Sequence, residues 1–236
     1  MTSRVLILTT SHDKLGETGK PTGFHWQELT DPYWALRDSG HAVEIASVAG
    51  GKPPADPGSD DGEGARPASV QRFMDDPTAM AALSNTRPAA HVTPTDYDAI
   101  YLPGGHGTMW DLPRTKAVTD LIAKAWEAGA VVAAVCHGPA ALTGVELSDG
   151  TPLVKGKRVN SFTDAEERAV GLDAVVPFLL ESKLRELGAE FEGNDENFGA
   201  HVARDGRLLT GQNPASAEPL ARAIMDMLKA KQSEPA

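Results

Sequence analysis

An α/β fold with a mostly parallel, doubly wound sheet is what this sequence predicts, and three observations carry the prediction. Short apolar runs recur along the chain, and several are almost uninterrupted, as strands covered on both faces are. Segments of helical period separate them, which is the strand–helix alternation of a sheet with helices on both faces. Residues able to do chemistry cluster just after three of the runs, where open sheets of this kind bind ligands. The pattern is flavodoxin-like.

The strand candidates are RVLILTT, with Arg4–Thr9 as the first strand, then HAVEIASV, YDAIYLPGG, AVVAAVCHG, KRVNSF and RLLTG. The clearest helices are TKAVTDLIAKAWEAG and PLARAIMDMLKAK. Gly129 sits where a left-handed C-cap is expected, and Asn213 before Pro214 reads as an N-cap with proline at the first helical position. The tail QSEPA is expected to fray. Residues 49–95 open on GGKPPADPGSDDGEGARP, which no regular element tolerates, and continue with a helical pattern in SVQRFMDDPTAMAALS. We read one domain over 1–236 with a cap or loop insertion at about 49–95.

The net charge of −11 argues against non-specific nucleic-acid binding. A single cysteine excludes an internal disulfide and suits a reducing compartment. The start of the chain lacks a signal-peptide pattern, and no apolar run has the length of a membrane span. The expectation is a cytoplasmic protein with no membrane partner. HExxH is absent, and His12, His25, His41, His91 and His201 are scattered, so no metal is expected.

Three segments carry chemistry. In AVVAAVCHGPAAL an apolar run stops at Cys136, followed by His137, Gly138 and Pro139 and then a helix-like stretch. This is the shape of a nucleophile elbow. A helix N-terminus aimed at the sulfur favours the thiolate, burial opposes it, and the His137 amide is placed to bind an oxyanion. In YDAIYLPGGHGTMWDL the glycines Gly104, Gly105 and Gly107 allow close backbone approach. Gly105 becomes a second oxyanion donor there, with Gly104, His106 and Trp110 as pocket or packing residues. In TGFHWQELTDPYWALRDSG, Glu28 reads on its own as a solvated helix carboxylate.

With these segments in view, the chain resembles the ThiJ/PfpI superfamily of class I glutamine-amidotransferase-like proteins. Within it the chain looks like the glutathione-independent glyoxalase III branch, which also includes heat-inducible holding chaperones. The strings TGFHWQELTDPYWAL, YLPGGHGTMWDLP, GAVVAAVCHGPAAL, FTDAEE and LLTGQNPASA carry the resemblance in order along nearly the whole chain. It implies Cys136 as nucleophile, His137 as the histidine beside it, and Glu28 as a carboxyl against the sulfur, which reverses the reading of Glu28 above. It also implies an acid after FTD that orients the histidine, Glu167 by register with Glu166 beside it, and Gly105 in the oxyanion hole. The implied activity is that of a lyase converting methylglyoxal to lactate through a cysteine hemithioacetal, a detoxification of reactive dicarbonyls in stress. It needs no redox cofactor, because an internal proton shift balances the oxidation states. A homodimer is expected by the same analogy.

Three other roles fit the same residues. One is an amidase, peptidase or protein deglycase that uses the same cysteine. Another is a holding chaperone whose partners are unfolded or glycated proteins. The third is a redox sensor, in which an accessible cysteine is oxidised.

Overall fold

The computed structural model describes residues 2–60 and 66–233. Residues 61–65 of the glycine-rich stretch, and the last three residues of the tail expected to fray, lie outside them. In chain order the elements begin with β1 (Arg4–Thr9), α1 (Trp26–Asp38), β2 (Ala42–Ser47), α2 (Ala68–Asp75), α3 (Pro77–Ser84) and β3 (Arg87–Pro88). There follow β4 (Ala99–Leu102), α4 (Thr108–Asp111), α5 (Lys116–Glu127), β5 (Val131–Val135), β6 (Arg158–Val159) and α6 (Asp164–Ala169). The last are α7 (Leu180–Glu186), β7 (Glu190–Phe191), β8 (Val202–Asp205), β9 (Leu208–Gly211) and α8 (Ala217–Ser233).

Seven strands form one sheet in the order β3-β2-β1-β4-β5-β9-β8, parallel throughout except for β8 against β9. The order reverses direction between β1 and β4, the switch point of a doubly wound sheet. Period two sorts each central strand onto two cores. Val5 and Ile7 of β1, Tyr101 of β4 and Val131 and Val135 of β5 face α1, α2 and α8. Leu6, Leu8, Ile100, Leu102 and Val132 face α5 and α7 on the other side.

One strand expectation is corrected. Of KRVNSF only Arg158 and Val159 are extended, and they pair with β7 in a separate two-stranded sheet. The Asn160 amide donates to the Thr210 hydroxyl at 2.7 Å rather than to a strand carbonyl, so the run never joins the main ladder. Strands β3, β7 and β8 were not expected: β3 and β7 have two residues each, and β8, an antiparallel edge, lacks the apolar run of a covered strand.

The helical pattern after the glycine-rich stretch divides into α2 and α3, because Asp76 accepts from the amides of Thr78 and Ala79 and Pro77 follows it. Phe73 of α2 packs on Tyr33 of α1, with ring centroids 4.9 Å apart. At the other end of the chain, Pro214–Ser216 form a 3-10 turn before α8 begins at Ala217. Gly129 adopts φ 90° where the C-cap of α5 was expected.

Helix α1 contains a proline that positions the site. Pro32 has no N–H, so the carbonyl of Glu28, four residues earlier, loses its helical donor. The hydroxyl of Tyr101 on β4 donates to that carbonyl at 2.6 Å instead, in a fully buried contact. The helix is thus pinned to the central sheet at the residue that carries the carboxyl. Tyr101→Phe leaves a buried carbonyl unpaired and is expected to cost about 1–3 kcal/mol. A shifted midpoint with an unchanged slope in urea unfolding would show this; an unchanged midpoint would contradict it.

Candidate active site

Cys136 follows the last residue of β5 and has φ 58°, a left-handed conformation that a non-glycine residue adopts at a cost of roughly 1–2 kcal/mol. Its amide donates to Gly211 and its carbonyl accepts from Phe162, so both sides of the turn are held. The sulfur is buried but borders a cavity of about 500 Å³.

His137 is buried, and its Nδ1 lies 3.2 Å from the Cys136 sulfur. Its Nε2 lies 2.7 Å from Glu167 Oε2, and His106 Nε2 lies 2.8 Å from Glu167 Oε1. One carboxylate therefore serves two imidazoles, whose ring centroids are 4.0 Å apart. Burial pushes the Glu167 carboxyl up, but the hydrogen bonds from His106 and His137 outweigh it and bring it down to about 2. Glu167 is thus charged at neutral pH and fixes the proton of each imidazole on Nε2. The His137 pKa is lowered, first by burial and then by the neighbouring His106. A neutral His137 with Nε2–H on Glu167 presents the Nδ1 lone pair to the thiol.

Glu28 approaches the sulfur from α1. Its Oε2 accepts from the Gly104 amide at 2.7 Å, and its side chain is hydrogen-bonded to Cys136, while Oε1 meets no partner in close hydrogen-bond geometry. Burial pushes the carboxyl up to about 8, against the pull of Cys136 and the Gly104 amide. Glu28 is therefore a neutral acid at pH 7 with a proton to donate.

Burial also pushes the Cys136 thiol well up, and the Glu28 and Glu167 carboxylates add to this, while the His137 amide, which donates to the sulfur, opposes it. The contribution from Glu28 charge needs an ionised Glu28. At pH 7 that group is neutral, and the pair holds at most one negative charge. Of the two opposing influences expected on the sulfur, a helix N-terminus and burial, burial is the larger. The turn after Cys136 is a 3-10 segment, Gly138–Gly144.

A sequence model of the DJ-1/PfpI family matches residues 21–227. The chain belongs to that family. It is 31% identical over 235 residues to a glutathione-independent glyoxalase, HSP31, of Saccharomyces cerevisiae, covering 95% of this chain and 97% of that one. It is 30% identical over 243 residues to Glyoxalase 3 of Candida albicans, covering 95% and 98%. Among solved structures, glyoxalase III from Candida albicans superposes with a TM-score of 0.87 at 28% identity, over 95% of this chain and 97% of that chain. The Rapid Encystment Protein of Francisella tularensis superposes with a TM-score of 0.91 at 36% identity, over 97% and 99%.

Within this DJ-1/PfpI chain, Cys136, His137, Glu28, Glu167, His106 and Gly105 meet around the sulfur. Gly105 lines the cavity, and its amide donates to no backbone acceptor among the described residues. Only glycine fits there: φ is 100°, and a Cβ would come 2.3 Å from the Gly23 carbonyl oxygen. Gly104 does not line the cavity; it spends its amide on Glu28. Trp110 is not a cavity residue either. It lies in α4 and stacks on His12 of the loop after β1, with ring centroids 5.2 Å apart, the packing role that the sequence left open. Glu166 turns away from His137 and accepts from the Thr163 amide, as in a capping box, and from Gln212, Asn213 and the Phe198 amide.

Sequence reasoning missed four further residues. The Thr108 hydroxyl lies 2.8 Å and 3.0 Å from the carbonyls of Gly105 and His137 and ties the two loops together. His25 lines the cavity 4.0 Å from Glu28. Phe162 lies on His137 with ring centroids 4.6 Å apart, and Phe198 follows at the mouth. The GGHGT string offered a signal for Thr108; nothing in the sequence marked Phe198.

Among the described residues, His106, His137 and Glu167 also have donor atoms within 4.8 Å of one another, close enough to hold a metal ion. A metal there would replace both imidazole–carboxylate hydrogen bonds, which already satisfy these atoms.

The Glu28 carboxyl sets a pH dependence. Its folded pKa of about 8 lies above the ordinary 4.5, so between the two values the unfolded chain gives up a proton that the folded chain keeps. This group therefore lowers stability as pH rises through that window. Glu28→Gln removes the slope. Its stability relative to wild type is expected to rise by on the order of a few kcal/mol across the window, by denaturant unfolding at several pH values. A pH-independent difference would contradict this.

Proposed function

We propose that this chain is a glutathione-independent glyoxalase that converts methylglyoxal to lactate through a hemithioacetal on Cys136. The observation that carries the reading is the cysteine at φ 58°, bordering a cavity, with a neutral acid on one side and a carboxylate-oriented imidazole on the other. The glyoxalase names of relatives aligned over nearly the whole chain support it.

The chemistry then runs as follows. Cys136 sulfur adds to the aldehyde carbon, and the thiol proton passes to His137 Nδ1. The amide of Gly105 faces the oxygen that gains charge, and Glu28 protonates it. Glu28, now ionised, removes the hydrogen on the former aldehyde carbon while protonated His137 gives its proton to the ketone oxygen, forming an enediol. Glu28 returns the proton to the neighbouring carbon and the hydroxyl on the sulfur-bearing carbon gives its own to His137, leaving a lactoyl thioester. Water cleaves the carbon–sulfur bond, releasing lactate and restoring the thiol. Aldehyde oxidation and ketone reduction cancel within one molecule, so the scheme uses no external electron carrier. Each positioned acid or base contributes typically about 10²–10⁴ in rate. The scheme classes the protein as a lyase of the lactate dehydratase type.

The competing chaperone reading draws no support from the surface. Among the described residues the exposed large apolar side chains are Val170 and Phe198, and both line the cavity. A deglycase or amidase would use the same thiol but release an amine or ammonia.

Lactate formation from methylglyoxal without glutathione is the test. Wild type is expected to turn over, and Cys136→Ala to lose at least about 10³-fold in kcat. Retained turnover in the variant, or amine release in place of lactate, would overturn the proposal.

A further inference from the structure

The cavity is much larger than the substrate proposed for it. Methylglyoxal has five heavy atoms and a volume of about 100 Å³, roughly three waters' share of the liquid. The cavity measures about 500 Å³. Beyond the sulfur and the histidines its walls include Leu15, Phe162, Val170, Leu172, Phe198 and Pro214. Asp56 also lines it, but the Thr22 hydroxyl and the Gly58 amide occupy its oxygens. A small, strongly hydrated dicarbonyl gains little from such a surface, whereas an apolar substituent gains by leaving water.

One wall is a run of rings. His106 and His137 lie 4.0 Å apart by ring centroid, His137 and Phe162 4.6 Å, and Phe162 and Phe198 6.1 Å. The run leads from the reacting sulfur's histidine to the mouth. Phe198 stands there at an energetic disadvantage. It has φ 64°, a conformation suited to glycine, and the residue is 47% exposed. The fold holds it in place through Glu166, which accepts the Phe198 amide at 2.7 Å and is itself anchored by Gln212 and Asn213. A buried carboxylate thus fixes a strained, half-exposed aromatic residue over the open end of the site.

We infer that the site takes α-oxoaldehydes carrying an aryl or branched alkyl group, and that Phe198 is the residue that selects them. This rests on the glyoxalase reading. The aldehyde carbon sits at Cys136, and the substituent on the ketone carbon lies along Phe162 and Phe198. The overall change is R–CO–CHO + H₂O → R–CHOH–COO⁻ + H⁺, with the aldehyde carbon oxidised, the ketone carbon reduced and no other reactant needed.

The test compares methylglyoxal with phenylglyoxal, following lactate and mandelate, in wild type, Phe198→Gly and Phe198→Leu. Glycine accepts φ 64° without strain, so loss of fold does not account for an effect of Phe198→Gly. Wild type is expected to show a KM for phenylglyoxal about tenfold below that for methylglyoxal. Phe198→Gly is expected to raise the phenylglyoxal KM about tenfold more than the methylglyoxal KM, with little change in kcat, and Phe198→Leu to recover part of the difference. Turnover of methylglyoxal with no preference for phenylglyoxal, or equal shifts for both substrates in Phe198→Gly, would overturn the inference and leave the glyoxalase reading standing. Absence of turnover with both substrates would overturn the two together.

Discussion

A carboxyl group and a thiol are buried against each other at the centre of this protein, and removing both charges from water together is prohibitive. The consequence is that Glu28 and Cys136 behave as one acid over the neutral range. Burial holds the Glu28 proton up to about 8, and that proton is available to the sulfur or to an oxygen bound to it. The same neighbour that opposes the thiolate when charged supports it when neutral. The charge state of the Cys136 sulfur is therefore tied to the protonation of Glu28.

The surroundings keep this pair in register. Pro32 frees the Glu28 carbonyl, and Tyr101 takes it, so the helix cannot slide relative to β4. The Gly104 amide holds one carboxylate oxygen. Across the sulfur, Glu167 carries the charge that the pair avoids. It keeps that charge because two imidazoles donate to it, and it aims the lone pair of His137 at the thiol. Two buried glutamates in one site are thus given opposite protonation by their donors, which is how acid and base roles separate at a single pH.

Much of the fold was legible, because strands covered on both faces write themselves as continuous apolar runs: β1, β4 and β5 all lay within predicted segments. Strand β8 was not, since an edge strand needs no such run, and neither was the isolation of Arg158–Val159, which depends on a hydrogen bond from the Asn160 amide to the Thr210 side chain. At the site, Cys136 was visible from the strand end and the residues after it. Glu28 was not visible from pattern, because a helix carboxylate looks the same whether it meets water or sulfur; only resemblance pointed to it. Trp110 shows the converse, as an aromatic that reads equally as pocket lining or packing and that in α4 takes the packing role, on His12. Phe198 lay beyond reach, since its position follows from the anchoring of Glu166, a contact between distant parts of the chain.

The protonation of Glu28 is the claim on which the rest turns. Infrared absorption of the carboxylic acid C=O stretch reads it directly, in wild type and Glu28→Gln, as pH is raised from below to above 8. The account predicts a buried-acid band in wild type at neutral pH that bleaches near pH 8 and is missing from Glu28→Gln. A wild-type spectrum with no such band at neutral pH would contradict it.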